Sequence, residues 1–277
     1  MADRKYTALL LAAQRPGVTN AIAEAYGESH KCRVAVAGKP MIERVVANLM
    51  ATPEVDKIVI SIEEPDVLLV LPEIKRLHEE GTISFAKSER TLADSVLAAI
   101  DMMGDDAMPF FITTADNCLH TPEIISYFLQ EVTKADAEAA FAMTPDTLVQ
   151  ETYPGTGKIT GQHKFRDGIY SNCNIYAICT PRAKATAELF RKGGQFGNNK
   201  KKKALIPVVG LWPFILYRYG LVTFDGLVKR ASKAFGIRAK GVVLPFADAP
   251  IDADDIVSLK FIEARLNERE NGVKKAG

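Results

Sequence analysis

Pro109-Phe110-Phe111-Ile112-Thr113-Thr114-Ala115-Asp116-Asn117-Cys118-Leu119-His120-Thr121-Pro122-Glu123 decides how the rest of the chain is read. An apolar run stops on a carboxylate, and a helix starts a few residues later. Phe110, Phe111 and Ile112 suit a strand buried on both faces, as in a parallel sheet. Thr121 is placed to cap a helix, Pro122 to take its first position and Glu123 its first turn. Asp116 then stands at the carboxyl end of a strand, the side of an open α/β sheet where ligands bind. A hard carboxylate there suits a Mg²⁺ ion that carries substrate phosphates. An aspartate that bonds only its own turn fits the same pattern.

Length and charge narrow the classes. With 277 residues, a single large α/β domain with insertions is the organisation expected. Lys and Arg number 35 against 34 Asp and Glu, so no global field points to nucleic acid, and a small Mg²⁺-shielded polyanion is the better partner. Cys32, Cys118, Cys173 and Cys179 show no CxxC or zinc-ligand spacing and read as free thiols of a reducing cytosol. The apolar run Ala8 to Ala13 is too short for a signal core or a membrane span, so a cytoplasmic protein is expected.

Working outward, strands and helices alternate. Tyr6 to Ala13 reads as a buried strand, broken by the loop Gln14-Arg15-Pro16-Gly17-Val18-Thr19-Asn20. Ile42, Val45, Val46 and Leu49 share one helical face. Val55 to Ile62 is a second strand, Glu64 to His78 contains a helix starting after Pro65 or Pro72, and Thr82 to Ala86 is a short strand. Ser88 to Ile100 is a polar loop running into a helix, where Ser95 fits a helix-initiating residue. Ile124, Ile125, Phe128, Leu129 and Val132 form another amphipathic helix, followed by a strand over Ala139 to Met143. This alternation demands a doubly wound, mostly parallel sheet, because parallel neighbours need crossovers.

Beyond Thr144 the pattern changes. Tyr153 to Lys158 is turn-rich, and Lys164 to Ser171 reads as a hairpin arm. Asn174 precedes an apolar strand, where it can bond a substrate hydroxyl or phosphate or serve turn chemistry. Lys200-Lys201-Lys202-Lys203 runs into an aromatic stretch ending at Val222. Pro207, Pro213 and Arg218 exclude a membrane span there. Residues 200–222 suit either peripheral contact with an anionic membrane or an inserted helical pair. Gly241 to Phe246 reads as a strand, and Leu259, Ile262 and Leu266 mark a closing helix whose charged tail is expected to fray after Glu268.

A strand, a glycine-bearing loop and the basic residue Lys31 ahead of Gly38-Lys39-Pro40-Met41 resemble the molybdopterin-guanylyltransferase-like (MobA-like NTP transferase) group. The resemblance covers nearly the whole chain, least over Gln195 to Lys240. That group has a loop of the form LAGGxGxR. Here Leu11-Ala12-Ala13-Gln14-Arg15-Pro16-Gly17 departs from it, with Ala13 and Gln14 where glycines are usual. Only Gly17 remains for close backbone approach to phosphates. The group's G-x-N string matches at Asn174, with Asn172 in the glycine's place. Its closing acidic string matches at Asp252 and Asp254 and departs at Ala253, Asp255, Ile256 and Ser258.

The resemblance implies a three-layer, doubly wound, mostly parallel sheet of the Rossmann-like, GT-A-type nucleotidyltransferase fold, with a C-terminal helical insertion. Residues 1–143 would be the NTP-binding half, 144–194 the acceptor side, 195–240 the insertion and 241–277 the closing strand and helix. The activity implied is Mg²⁺-dependent transfer of a nucleoside monophosphate from an NTP to a phosphorylated sugar, polyol or cofactor, with release of pyrophosphate. Lys31 and Asp116 would be catalytic, and Asp116 and Asp252 would hold Mg²⁺. Leu11, Ala12, Ala13, Gln14, Arg15, Gly17, Lys31 and Ser95 would bind the nucleotide, and Asn174 the acceptor. A glycosyltransferase acting on a nucleotide-sugar, and a catalytically idle nucleotide-binding or membrane-recruited protein, are the alternatives.

Overall fold

The structure is a computed structural model that describes residues 4–14, 20–156, 159–187 and 216–276. In chain order its elements are β1 (Tyr6–Leu11), α1 (Ala21–Ala25), β2 (Ala35–Val36), β3 (Lys39–Pro40), α2 (Met41–Met50), β4 (Val55–Ile62), α3 (Asp66–Leu69), α4 (Pro72–Glu79), β5 (Ile83–Lys87), α5 (Leu92–Met103), β6 (Phe110–Thr114), α6 (Pro122–Lys134), β7 (Ala139–Pro145), α7 (Asp146–Thr152), β8 (Gln162–Phe165), β9 (Gly168–Ile178), α8 (Phe224–Phe235), β10 (Ala239–Val243) and α9 (Ile256–Ala276). Seven strands pair in the order β10-β7-β9-β6-β1-β4-β5, and β8 pairs with β9 as the eighth. β1 is parallel to both β4 and β6, and β5 is parallel to β4. Among the described strands of this sheet β9 alone runs against the rest: it inserts antiparallel between β6 and β7, and β8 pairs antiparallel with it.

Alternation along each strand builds the three layers. From β1, Ala8 and Leu10 face one side with Ile58, Ile60 and Phe111, under Val45, Val46 and Leu49 of α2, Ile74 and Leu77 of α4 and Phe128 of α6. Leu9 faces the other side with Val59, Phe110 and Ile112, under Val96, Ala99 and Ile100 of α5. Each Val, Leu, Ile or Phe side chain among these, removed from water, contributes about 1.5–3 kcal/mol, so two covered faces are what let nearly continuous apolar strands persist.

The winding reverses beside β1. From β1 the chain steps outward to β4 and β5, then returns by α5 to β6 on the opposite side. The switch point therefore lies between the carboxyl ends of β1 and β6, where such sheets take ligands. Asp116 follows β6 by two residues, and Ala115 donates its N–H to Leu11 O at 3.0 Å.

Several elements differ from their sequence readings. The Glu64 to His78 helix is two, α3 and α4, because Leu71 is extended ahead of Pro72 and the proline restarts the helix. The N-cap of α5 is Thr91, whose hydroxyl accepts from Asp94 N, and Ser95 lies inside the helix. Asn174 sits within β9 rather than before it. The helix α9 continues past Glu268 to Ala276, since Arg269 is held by Asp248 and Leu119 O and Glu270 pairs with Arg44 at 2.9 Å. The tetralysine and most of the aromatic stretch fall outside the described residues. At its near end Leu216 and Tyr217 pack into the cluster with Phe165 and Phe224, whereas Tyr219 is 68% exposed. Among the described residues no helix is long and apolar enough to cross a membrane.

The contact of α8 with the sheet is close at Gly241 on β10. A Cβ there would stand 2.5 Å from Phe224 Cζ and 2.7 Å from Val228 Cγ2. The Phe224 ring is itself wedged between Phe141, Phe165 and Tyr170. Gly241→Ala is therefore expected to cost about 1–3 kcal/mol through overpacking. Gly161→Ala, with open space around it, should stay within about 0.5 kcal/mol. Urea denaturation checks this: the midpoint should fall for the first variant alone, at unchanged slope.

Candidate active site

Three segments far apart in sequence meet at the β1–β6 switch point. Lys31 opens a short 3₁₀ turn after the β1 loop, Asp116 follows β6, and Asp252 precedes α9. Lys31 Nζ donates to Asp116 Oδ2, and it also donates to Ala253 O at 3.2 Å. Ala253 N–H in turn donates to Asp116 O at 3.3 Å, so the Asp252-Ala253-Asp254 backbone is tied to the end of β6 from both sides. Asp252 Oδ2 accepts from Asn174 Nδ2 at 2.8 Å, which fastens the acid to β9. Thr114 Oγ1 donates to Asp116 Oδ1.

The run leading into Asp252 is anchored along its length. His120 Nε2 donates to Ala249 O at 2.8 Å, and Thr144 Oγ1 to Phe246 O at 3.2 Å. Burial pushes the His120 imidazole down to about 4, so it serves as a neutral donor. Asp248 accepts from Tyr153 Oη and from Arg269. Ile251 and Ala253 are fully buried against Leu259, Ile262 and Cys118.

Carboxylate oxygens of Asp116, Asp252 and Asp254 lie within 4.8 Å of one another. Two like charges at that distance repel by about 3.5 kcal/mol at an effective dielectric of 20. Among the described residues Lys31 brings an ammonium to this group, and the titration directions reflect both the repulsion and the attraction. Burial works to raise Asp116, but the charge and hydrogen bond of Lys31, with help from Thr114, hold its carboxyl below the usual range. Burial, then the charges of Asp116 and Asp254, push Asp252 well above that range against the pull of Lys31 and Asn174. Burial works against the Lys31 ammonium, yet Asp116, Asp254 and Asp252 together hold it above the ordinary lysine value. Three hard oxygen donors suit Mg²⁺, whose bonds of roughly 2.1 Å span about 4.2 Å between opposite ligands. Asp254 was matched in the sequence but not read as a ligand; the Asp-x-Asp spacing was its signal.

On the other flank of β1 the chain leaves the sheet through Ala12, Ala13 and Gln14. Ala12 N–H continues the sheet by donating to Ser61 O at 3.0 Å. Leu11 ends β1 and Ala13 is exposed. Gln14 N–H donates to the Glu63 carboxylate at 3.2 Å, and Gln14 Nε2 to Ser29 O at 2.7 Å. Arg15 and Gly17 lie outside the described residues. Glu63 also pairs with His30 Nε2 at 3.1 Å, so adjacent His30 and Lys31 reach different acids, one Glu63 and the other Asp116. Glu63 had no motif to betray it; only the β1–β4 pairing brings it to the loop. Ser95 Oγ accepts from Glu89 N at 2.8 Å and donates to Thr91 O at 3.0 Å, closing the loop ahead of α5. It stands at β5, three strands from β6, or about 14 Å at ordinary strand spacing. Gly38 and Ala37 have φ of 78° and 47° and form the two-residue tip of the β2–β3 hairpin, with Lys39 exposed beside it.

Comparison with known proteins follows this geometry. Residues 23–210, more than half of the chain, match the model of the MobA-like NTP transferase domain. No curated protein matches the chain. Similar solved structures include a hypothetical transferase from Thermus thermophilus, 21% identical with a TM-score of 0.68, covering 92% of this chain and 99% of that one. CMP:2-keto-3-deoxy-manno-octonic acid synthetase complexed with CTP is 12% identical at a TM-score of 0.55, over 96% and 100% of the two chains. An apo UDP-glucose pyrophosphorylase is 11% identical at 0.59, over 96% and 99%. At such identities the likeness is one of fold, Rossmann-like and doubly wound. With the domain match laid over that fold, the chain belongs to the MobA-like NTP transferase family of nucleotidyltransferases.

Proposed function

We propose that the protein transfers a nucleoside monophosphate from an NTP to a phosphorylated small-molecule acceptor, a sugar, polyol or cofactor phosphate, and releases pyrophosphate. The observation that carries this reading is the convergence of Lys31 with Asp116, Asp252 and Asp254 at the β1–β6 switch point. In the reaction an acceptor phosphate oxygen attacks the α-phosphorus, the bond from that phosphorus to the bridging oxygen breaks, and pyrophosphate leaves with the electron pair. Such chemistry asks for positioning and charge neutralisation rather than covalent help. Mg²⁺, when bound, supplies charge neutralisation at the phosphate oxygens, and Asp116 and Asp252 would hold it with Asp254 beside them.

Lys31 is assigned to the phosphates at the reacting centre, leaving Asp116 free to bind metal as substrate arrives. The Gln14 to Gly17 loop, with Arg15, is assigned to the triphosphate, and Ser95 to the nucleobase side. Asn174 and the β8–β9 side are assigned to the acceptor. The buried free thiols Cys32, Cys118, Cys173 and Cys179 fit a cytosolic setting. The test is a screen of the four NTPs against sugar, polyol and cofactor phosphates with pyrophosphate detection; pyrophosphate formed only with a matched pair is the expected result. Silence across the panel beside transfer from a nucleotide-sugar would replace this reading with glycosyl transfer.

Asp116→Asn and Asp252→Asn should each abolish Mg²⁺-dependent turnover while circular dichroism stays unchanged, since each removes a charged oxygen from one ion. Lys31→Ala should lower kcat and kcat/KM together, by on the order of 10²-fold or more. A change in KM alone would reassign it to uniform substrate binding. With chelator present, Asp252→Asn should melt above the wild type, by about 2–4 °C for each kcal/mol of repulsion relieved. Saturating Mg²⁺ should reverse that order, as read by calorimetry.

A further inference from the structure

Asp252 does not meet β9 through Asn174 alone. Asn172 Nδ2 donates to Asn174 Oδ1 at 2.9 Å and to Tyr176 Oη at 2.7 Å. Both of its amide hydrogens are thereby engaged. Residues 172, 174 and 176 project from one side of β9, and the chain of contacts runs Tyr176, Asn172, Asn174, Asp252. We propose that Asn172 is a positioning residue for Asp252: it fixes the Asn174 amide in the one orientation that turns an N–H to the carboxylate. The proposal rests on the reading of Asp252 as a metal ligand.

The physical argument is one of polarity. An amide has a donor end and an acceptor end of nearly the same shape, so neighbours alone decide which way it points. When it holds the metal, Asp252 is ionised and only accepts. Were Asn174 reversed, its oxygen would face that carboxylate and its NH₂ would face the NH₂ of Asn172, setting acceptor against acceptor and donor against donor. Asn172 removes that alternative. Burial raises the Tyr176 phenol far above its ordinary value, so its oxygen remains a neutral anchor for the second hydrogen.

Backbone geometry prepares the same contact. Phe141 and Met143 of β7 pair with Tyr176 and Asn172, so β9 places three residues opposite one. Within this bulge Asn174 takes φ 52°, a left-handed conformation that asparagine tolerates better than most residues. A bulge re-aims a side chain, and here it delivers Asn174 to Asp252 while Asn172 decides which end of the amide arrives.

The test uses Mn²⁺ alone, titrated into the full chain and followed by the electron paramagnetic resonance of the free ion. Asn172→Ala should weaken Mn²⁺ binding about 10-fold, the scale on which groups behind metal ligands act. Asn174→Ala should weaken it at least as much, and the double variant no more than Asn174→Ala, because Asn172 works through Asn174. An unchanged melting temperature of Asn172→Ala before metal is added shows that the fold is intact. Wild-type affinity in Asn172→Ala, or a double variant that multiplies the two losses, overturns the proposal. A wild type that binds no Mn²⁺ overturns both this and the metal reading. A wild type that binds Mn²⁺ but yields no pyrophosphate from any NTP overturns nucleotidyl transfer and leaves the titration to decide Asn172.

Discussion

The contact between the Lys31 ammonium and the Asp116 carboxylate is the constraint on which the site depends. Asp116 is 13% exposed at its side chain and Lys31 21%, so neither charge can rely on water. Breaking such a pair leaves a charge largely stripped of solvent, which is far costlier than the pair's own net worth. Lys31 also bonds Ala253 O, and through that carbonyl the same ammonium holds the segment bearing Asp252 and Asp254. The Lys31 ammonium therefore helps to gather acids that repel one another. On the function proposed above, a divalent cation with its phosphates would meet these carboxylates.

The backbone supporting those charges is anchored at many points. His120, Thr144 and Arg269 hold the approach to Asp252, and the buried side of α9 closes over it. Asp116 is set by β6, a strand buried on both faces between β1 and β9. On the function proposed above, acids fixed in this way would need no reordering when substrate arrives, which is where positioning lowers a barrier. On the far side of β1 the Gln14 amide is tied to Glu63 and Glu63 to His30, so Gln14 is linked to the acid cluster through the adjacent pair His30 and Lys31.

The two halves of the sheet also divide labour. β1, β4, β5 and β6 form the parallel, doubly wound part, and β9 breaks the pattern between β6 and β7. An antiparallel strand in that place brings its own side chains to the carboxyl end of β6 from the opposite direction. Asn174 reaches Asp252 for this reason, and the polar chain through Asn172 and Tyr176 lies on the strand that does not belong to the parallel repeat.

Local signals in the sequence determined the α/β class, the alternation of its first half and the place of Asp116. Strand burial follows from runs such as Phe110 to Ile112, and helix starts from Thr121-Pro122-Glu123, because both are encoded by residues a few positions apart. The apolar face of α6 was legible to the residue for the same reason. Family resemblance added Lys31, Asp252 and Asn174 as candidates but not what each touches. Tertiary structure alone decided that Lys31 meets Asp116 across 85 positions and Asn174 meets Asp252 across 78. It also decided that Asp254 completes the acid cluster, that Glu63 caps the loop, and that Ser95 closes its own loop. Side-chain periodicity records which face of an element is buried. It carries no information about which elements lie side by side, and a charged site is made of those neighbours.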